Sequence, residues 1–162
     1  MHMRSLKIHL VALSFAVAAT GHAAAQVWLG EEPEFLPVDE AFVLSAEVDD
    51  DGALVARWKI ADGYYLYRHR FAFKTREGDA EQVGEATIPP GKAKVDEYFG
   101  EVEVYYGQAR ASAPVQAEGE PVEVGIGYQG CAEAGLCYPP QTRWVAVAPA
   151  EGTVNFLERD KR

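Results

Sequence analysis

The chain has 162 residues, with 25 Asp and Glu against 15 Lys and Arg and a formal net charge of −10. That length suits one domain with short tails, and the acidic balance argues against nucleic acid and anionic membrane surfaces as partners. Two cysteines, an even count, are compatible with one intramolecular disulfide.

Taken in order, the first stretch is not part of a fold. Arg4 and Lys7 are basic, Ile8 to Ala19 is apolar and small, and Ala23-Ala24-Ala25 stands before Gln26. This is the layout of a secretory signal peptide over residues 1–25, too short and wrongly flanked for a membrane span. The mature chain is then exported, into a compartment where disulfides form and persist. Residues 26–34 read as a loose acidic lead-in, 35–148 as the folded domain and 149–162 as a polar, mobile tail.

Within the domain, short alternating segments follow one another. Phe42, Leu44, Ala46 and Val48 alternate as a strand, Asp49 to Gly52 turns, and Leu54, Ala56, Trp58 and Ile60 form a second amphipathic strand. Asp62-Gly63 turns again, before Tyr64 to Arg68 and a strand-like Phe71 to Thr75. Gln82 to Ile88 reads as a short edge strand ended by Pro89-Pro90-Gly91. Asp96-Glu97-Tyr98-Phe99-Gly100 is a compact acidic-aromatic loop, followed by strands from Val102 to Tyr106 and from Ala109 to Val115. Val122, Val124, Ile126 and Tyr128 alternate with polar or glycine positions, and Thr142 to Val147 answers them as a second arm. No long helical period occurs, so the pattern predicts an all-β, immunoglobulin-like antiparallel sandwich of about seven to nine strands.

Both cysteines, Cys131 and Cys137, fall between those last two strands, at the tip of one predicted hairpin. A bridge across so short a loop restrains the unfolded chain by only about 2–2.5 kcal/mol. It ties together what the hairpin already holds close, which suggests a chemical rather than a structural value. An immunoglobulin-type disulfide would instead join the two sheets. Thiolates are favoured by nearby positive charge or a helix N-terminus. Glu133 is the only charge between the cysteines, and Arg68 and Arg143 cannot be placed from the sequence, so no strongly acidic thiol is expected.

Tyr65 and Tyr67 lie two apart and share a face if the segment is a strand. Asp96 and Glu97 are candidate bases for the cysteines or plain polar loop residues; a carboxylate beside a thiol raises its pKa. His69 is the only histidine after the signal segment, and with two distant cysteines it does not make a metal cluster. Neither metal nor cofactor is expected. Trp28, Trp58 and Trp144 read as packing residues.

Three motifs, Asp62-Gly-Tyr-Tyr-Leu-Tyr-Arg68, Asp96-Glu-Tyr-Phe-Gly100 and Tyr128-Gln-Gly-Cys-Ala-Glu-Ala-Gly-Leu-Cys-Tyr-Pro-Pro140, resemble the N-terminal periplasmic domain of the thiol:disulfide interchange protein DsbD family, as does the opening from Phe35 to Phe42. The resemblance runs from about Phe35 to Val147. It implies a periplasmic thiol:disulfide oxidoreductase domain that takes reducing equivalents from a thioredoxin-like domain and passes them to disulfide isomerases or cytochrome c maturation proteins, with a membrane electron conduit as a further partner. It assigns Cys137 as the nucleophile that forms mixed disulfides and Cys131 as the resolving cysteine. It places Tyr65 and Tyr67 beside the disulfide and makes the loop Asp96 to Gly100 a cap, with Tyr98, Phe99 and Gly100 at its tip; Asp96 and Glu97 are taken as further site-lining residues. The family's cap commonly reads Phe then Tyr, whereas this chain has Tyr98 then Phe99, so Tyr98 holds the capping position and Phe99 is expected to pack elsewhere. The sequence ends at Arg162, before any counterpart of the membrane conduit or the C-terminal thioredoxin-like domain of full-length DsbD, and reads either as a portion of such a protein or as a free-standing one. The competing readings are a non-catalytic secreted binding module with a structural disulfide, and metal delivery.

Overall fold

The computed structural model describes residues 34–76 and 82–158. The signal-type segment and most of the lead-in lie outside the described residues, as does the turn expected at 77–80.

A single helical turn, α1 (Val38–Ala41), follows Pro37 and delivers the chain into β1 (Phe42–Val48). β1 pairs with β2 (Ala53–Ile60) from Phe42↔Ile60 to Val48↔Leu54. The turn between them closes because the Asp49 carboxylate accepts the N–H groups of Asp51 and Ala53, at 3.2 and 2.9 Å. β2 pairs on its other side with β7 (Gln108–Pro114), giving a three-stranded sheet β1-β2-β7. A second sheet runs β11-β10-β8-β4, from Thr153–Phe156, Gln141–Ala148, Val122–Tyr128 and Ala72–Thr75. The third, β5-β6-β3-β9, is built from Lys92–Asp96, Gly100–Tyr105, Tyr64–Tyr67 and Gly130–Ala132. All the pairings are antiparallel.

The alternation of β2 buries Leu54, Ala56, Trp58 and Ile60 in one core with Val124, Ile126 and Tyr128 of β8 and Val145 and Val147 of β10. Trp58 stacks on Phe71 with ring centroids 4.5 Å apart and meets Tyr128 edge-on at 5.6 Å. Such aromatic pairs add about 0.5–1.5 kcal/mol each beyond their area burial. β3 is buried on both faces. Tyr64 and Leu66 join the main core, while Tyr65 and Tyr67 join a second, smaller cluster with Val104 and Cys131, against which Cys137 packs. This two-sided strand carries the sandwich into the site.

Several elements differ from the sequence expectation. Eleven strands occur among the described residues, more than the number expected, because short edge segments such as β5 and β9 also pair. Gln82 to Ile88 makes only two isolated bridges, Val83↔Val115 and Thr87↔Ser112. Pro114 accepts from the Gly84 N–H at 2.9 Å but has no N–H to return, so the ladder cannot continue there. Within the stretch 149–162, expected to be a mobile tail, residues 149–156 turn through Pro149–Glu151 and return as β11 along the free edge of β10, from Ala148↔Thr153 to Val145↔Phe156, and residues 159–162 lie outside the described residues.

The hairpin is also divided. The β8–β10 ladder ends at Tyr128↔Gln141, and β9 leaves it to pair with β3 in the third sheet. Gly130 makes the crossing possible: a Cβ there would lie 2.3 Å from the Tyr65 carbonyl oxygen and 2.6 Å from Cζ of Phe42.

Candidate functional site

The crossing at Gly130 sets Cys131 directly opposite Tyr65 in the β3–β9 ladder. Cys131 and Cys137 are joined, with an S–S distance of 2.03 Å. The loop between them is held by its own backbone: Ala132 N–H donates to Leu136 O at 2.7 Å, Gly135 N–H to Ala132 O at 3.0 Å, and Glu133 N–H to Gly63 O at 2.8 Å. The two sulfur-bearing residues are not equivalent. Cys131 is 1% exposed, whereas Cys137 is half-buried and reaches the surface.

Tyr65 and Tyr67 point to the same side of β3, as their spacing requires, and both reach Asp96 at the end of β5. Tyr65 donates to Asp96 Oδ2 at 3.0 Å and Tyr67 donates to the same oxygen at 2.7 Å. The other carboxylate oxygen accepts the N–H groups of Tyr98 and Phe99 at 2.9 and 3.1 Å. Asp96 is the buried charged residue of the described core. Burial raises its pKa, but the hydrogen bonds, that of Tyr67 foremost, outweigh burial and hold the carboxyl below its ordinary value. Tyr67 is pushed strongly upward, by burial first and then by its bonds to Tyr65 and Asp96, so its proton stays on.

The Tyr67 hydroxyl oxygen also lies 3.2 Å from Cys131 Sγ and 4.0 Å from Cys137 Sγ. With its proton committed to Asp96, that oxygen presents lone pairs to Cys131. The carboxylate is thus linked to the sulfur through Tyr67.

Glu97 is not brought to this set; it is exposed in the turn that follows Asp96. The aromatic pair is also arranged otherwise than expected. Tyr98, expected against the sulfurs, is 63% exposed, and among the described residues it has no ring contact. Phe99 is the seated ring, packing edge-on to Tyr67 at 5.1 Å and to His69 at 5.0 Å, with the Arg70 guanidinium 4.7 Å from its centroid. The reason is local. Asp96 binds both N–H groups of the turn, and the turn's direction aims the second ring, not the first, at β3. Gly100 closes the turn with φ of +71°, which glycine adopts without strain.

His69 packs between Tyr67 and Phe99, and burial followed by the neighbouring Arg70 charge lowers its pKa. Among the described residues no three His, Cys, Asp or Glu side chains converge to hold a metal ion. Arg68 and Arg143 lie elsewhere: Arg68 binds Glu103 and the carbonyls of Ile88 and Pro89, and Arg143 pairs with Asp39 at 3.4 Å.

Sequence reasoning missed Lys94 and Tyr106. The Lys94 ammonium bridges both oxygens of Glu133, at 3.1 and 3.0 Å, and lies 4.6 Å from the Tyr65 ring centroid. Tyr106 donates to Glu133 Oε1 at 2.6 Å. The available signal was period two, since Lys94 shares a face with Asp96 on β5; the strand itself went unread because it is short, polar and at an edge.

Residues 32–149 match the family described as Thiol:disulfide interchange protein DsbD, N-terminal. The chain belongs to the DsbD N-terminal family. It is 47% identical over 131 residues to the thiol:disulfide interchange protein DsbD of Pseudoalteromonas atlantica, covering 80% of this chain and 22% of that protein. It is 41% identical over 155 residues to the DsbD of Pseudomonas fluorescens, covering 94% of this chain and 25% of that one. The chain therefore spans about a quarter or less of the length of these DsbD relatives. Among solved structures, the reduced DsbD N-terminal domain of Neisseria meningitidis superposes with a TM-score of 0.66 at 36% identity, covering 76% of this chain and 95% of that domain. The DsbD N-terminal domain of the same organism, solved in complex with the PilB N-terminal domain, superposes with a TM-score of 0.60 at 39% identity, covering 70% of this chain and 88% of that one. The fold is thus the immunoglobulin-like sandwich of DsbD N-terminal domains, carrying a disulfide-forming cysteine pair. Among the described residues, no helix is long and apolar enough to cross a membrane.

Proposed function

We propose that this domain relays reducing equivalents by thiol-disulfide exchange in the periplasm. A thioredoxin-like domain is the donor, supplied through a membrane conduit, and disulfide isomerases or cytochrome c maturation proteins are the acceptors. The observation that carries this reading is the asymmetry of the pair: Cys131 is 1% exposed beside Tyr67, while Cys137 reaches the surface. The complex formed by the Neisseria meningitidis DsbD N-terminal domain with a PilB N-terminal domain supports a protein partner of this kind.

In the loading step a donor thiolate attacks Cys137 Sγ. The Cys131–Cys137 bond breaks, a mixed disulfide forms at Cys137, and Cys131 leaves as a thiolate that takes up a proton. The donor's second thiol then attacks its own bridged sulfur and releases Cys137 as a thiolate. Two electrons and one proton have moved, and the donor is left with a disulfide. In the unloading step the Cys137 thiolate attacks an acceptor disulfide, and Cys131 resolves the mixed species by attacking Cys137. Asp96 and Tyr67 keep Cys131 protonated until that moment, and Tyr65 completes the set. The loop Asp96 to Gly100 is the cap, with Phe99 as its anchor on Tyr67 and Tyr98 as the ring a docking partner meets first. Glu97 lies on the rim of that surface.

The test is trapping. Cys131→Ala should accumulate mixed disulfides with a thioredoxin-like partner, and Cys137→Ala should not. Equal trapping, or the reverse, sinks the assignment. A wild-type reduction potential below about −300 mV would favour a merely structural disulfide.

A further inference from the structure

The face of β5 that presents Asp96 also presents Lys94, and the two residues reach different parts of the cysteine hairpin. Asp96 reaches Cys131 through Tyr67. Lys94 reaches the loop between the cysteines through Glu133. The second contact belongs to a closed circuit of four side chains. Lys94 Nζ binds Glu133 at 3.0 Å, and Glu133 accepts from Tyr106 at 2.6 Å. The Tyr106 ring packs against Tyr65 with centroids 5.9 Å apart, and the Tyr65 ring lies 4.6 Å from Lys94 Nζ. Glu133 is doubly anchored, because its backbone N–H also donates to Gly63 O at 2.8 Å. The hydrogen bonds from Tyr106 and Lys94 hold its carboxyl below the ordinary range, and the ion pair keeps Lys94 charged.

We infer that Glu133, with Lys94 and Tyr106, is a positioning group for the redox couple: it pins the inter-cysteine loop so that the two sulfurs stay within bonding reach when the bond is open. The inference rests on the exchange reading above. When the disulfide is reduced, residues 132–136 lose their covalent closure and are held by the backbone bonds Ala132 N–H to Leu136 O, Gly135 N–H to Ala132 O and Glu133 N–H to Gly63 O, together with the side-chain bonds of Glu133. Whatever holds Glu133 in place then raises the effective concentration of one thiol at the other. A pinned loop re-forms its disulfide readily and resolves a mixed disulfide quickly. A released loop leaves the couple easier to reduce and prolongs the mixed species.

The experiment is equilibration of the full chain with reduced and oxidised glutathione, with Cys131 and Cys137 intact. Glu133→Ala should lower the equilibrium constant for disulfide formation about threefold, the scale of a partly exposed charged pair. Lys94→Ala should lower it similarly, and the double variant should fall no further than either single one. Glu133→Gln, which can still accept from Tyr106, should lie between Glu133→Ala and wild type. The control is Glu47→Ala, which breaks the Arg57–Glu47 pair on the distant β1–β2 hairpin and should leave the constant unchanged. The inference is overturned if Glu133→Ala shifts the constant no more than Glu47→Ala, or if the Lys94 and Glu133 effects add in full. Neither result depends on exchange with a protein partner, whose failure in wild type would instead count against the relay reading.

Discussion

Asp96 and Glu133 are two carboxylates near one disulfide, the first linked to Cys131 through Tyr67 and the second in the loop between the cysteines; both are held below the ordinary carboxyl range, and they get there by different routes. Asp96 is 6% exposed and would be raised by burial; four donated hydrogen bonds reverse that. Glu133 has a side chain 45% exposed and is lowered first by the Tyr106 hydroxyl and then by Lys94, against the opposing pull of burial. The difference teaches where each residue acts. A buried, fully satisfied carboxylate organises a core and cannot be lost without orphaning its donors. An exposed one adjusts a surface loop at little cost to the fold.

The largest effect is therefore expected on the buried side. Asp96→Ala strands two tyrosine hydroxyls and two backbone N–H groups and should cost about 2–4 kcal/mol of unfolding free energy. Urea denaturation of the oxidised protein measures it; a loss as small as that of Glu133→Ala would abolish the contrast. The same residue sets a pH window. Because its folded pKa lies below the ordinary value of 3.8, its stabilisation is full above that value and is lost as pH falls through the lower, folded one. The stability gap between wild type and Asp96→Asn should therefore be constant from neutral pH down to about 5 and shrink below about 4. A gap that widened in acid would mean the carboxyl is bound as the neutral acid.

Tyr67→Phe removes the hydroxyl that joins Asp96 to Cys131 while keeping the ring that seats Phe99. A loss of about 1–2 kcal/mol is expected, together with a lower Cys131 thiol pKa in the reduced form, followed by thiol absorbance or alkylation rate. An unchanged thiol would detach Asp96 from the sulfur.

The turn that follows Asp96 provides a third test. Phe99→Ala should speed reduction by dithiothreitol several-fold and by more than Tyr98→Ala does, because Phe99 is the packed ring and Tyr98 the exposed one. Stopped-flow or quenched alkylation reads both rates, and a larger effect of Tyr98→Ala would restore that ring as the shield.

The smallest stability change belongs to Glu133→Ala, at about 0.5 kcal/mol or less given its exposure. A larger loss would make Glu133 part of the fold and not an adjuster of the loop.

Much of this was legible before any coordinates. Period-two alternation marked β1, β2 and β8, since a half-buried strand writes its burial into the order of its residues. The same spacing put Tyr65 and Tyr67 on one side, and the Gly-Cys and Cys-Tyr-Pro-Pro flanks identified the pair and its family. What the sequence could not carry were relations between distant strands. β5 and β11 went unread because an edge strand is held by hydrogen bonds to a neighbour and needs little apolar pattern of its own. The crossing of β9 to β3 was decided by a steric fact, the space that Gly130 leaves for the Tyr65 carbonyl. The choice of Phe99 over Tyr98 as the seated ring followed from the direction of the Asp96 turn relative to β3. The Lys94–Glu133–Tyr106 circuit joins residues 39 and 27 positions apart, and only the tertiary fold brings such charges together.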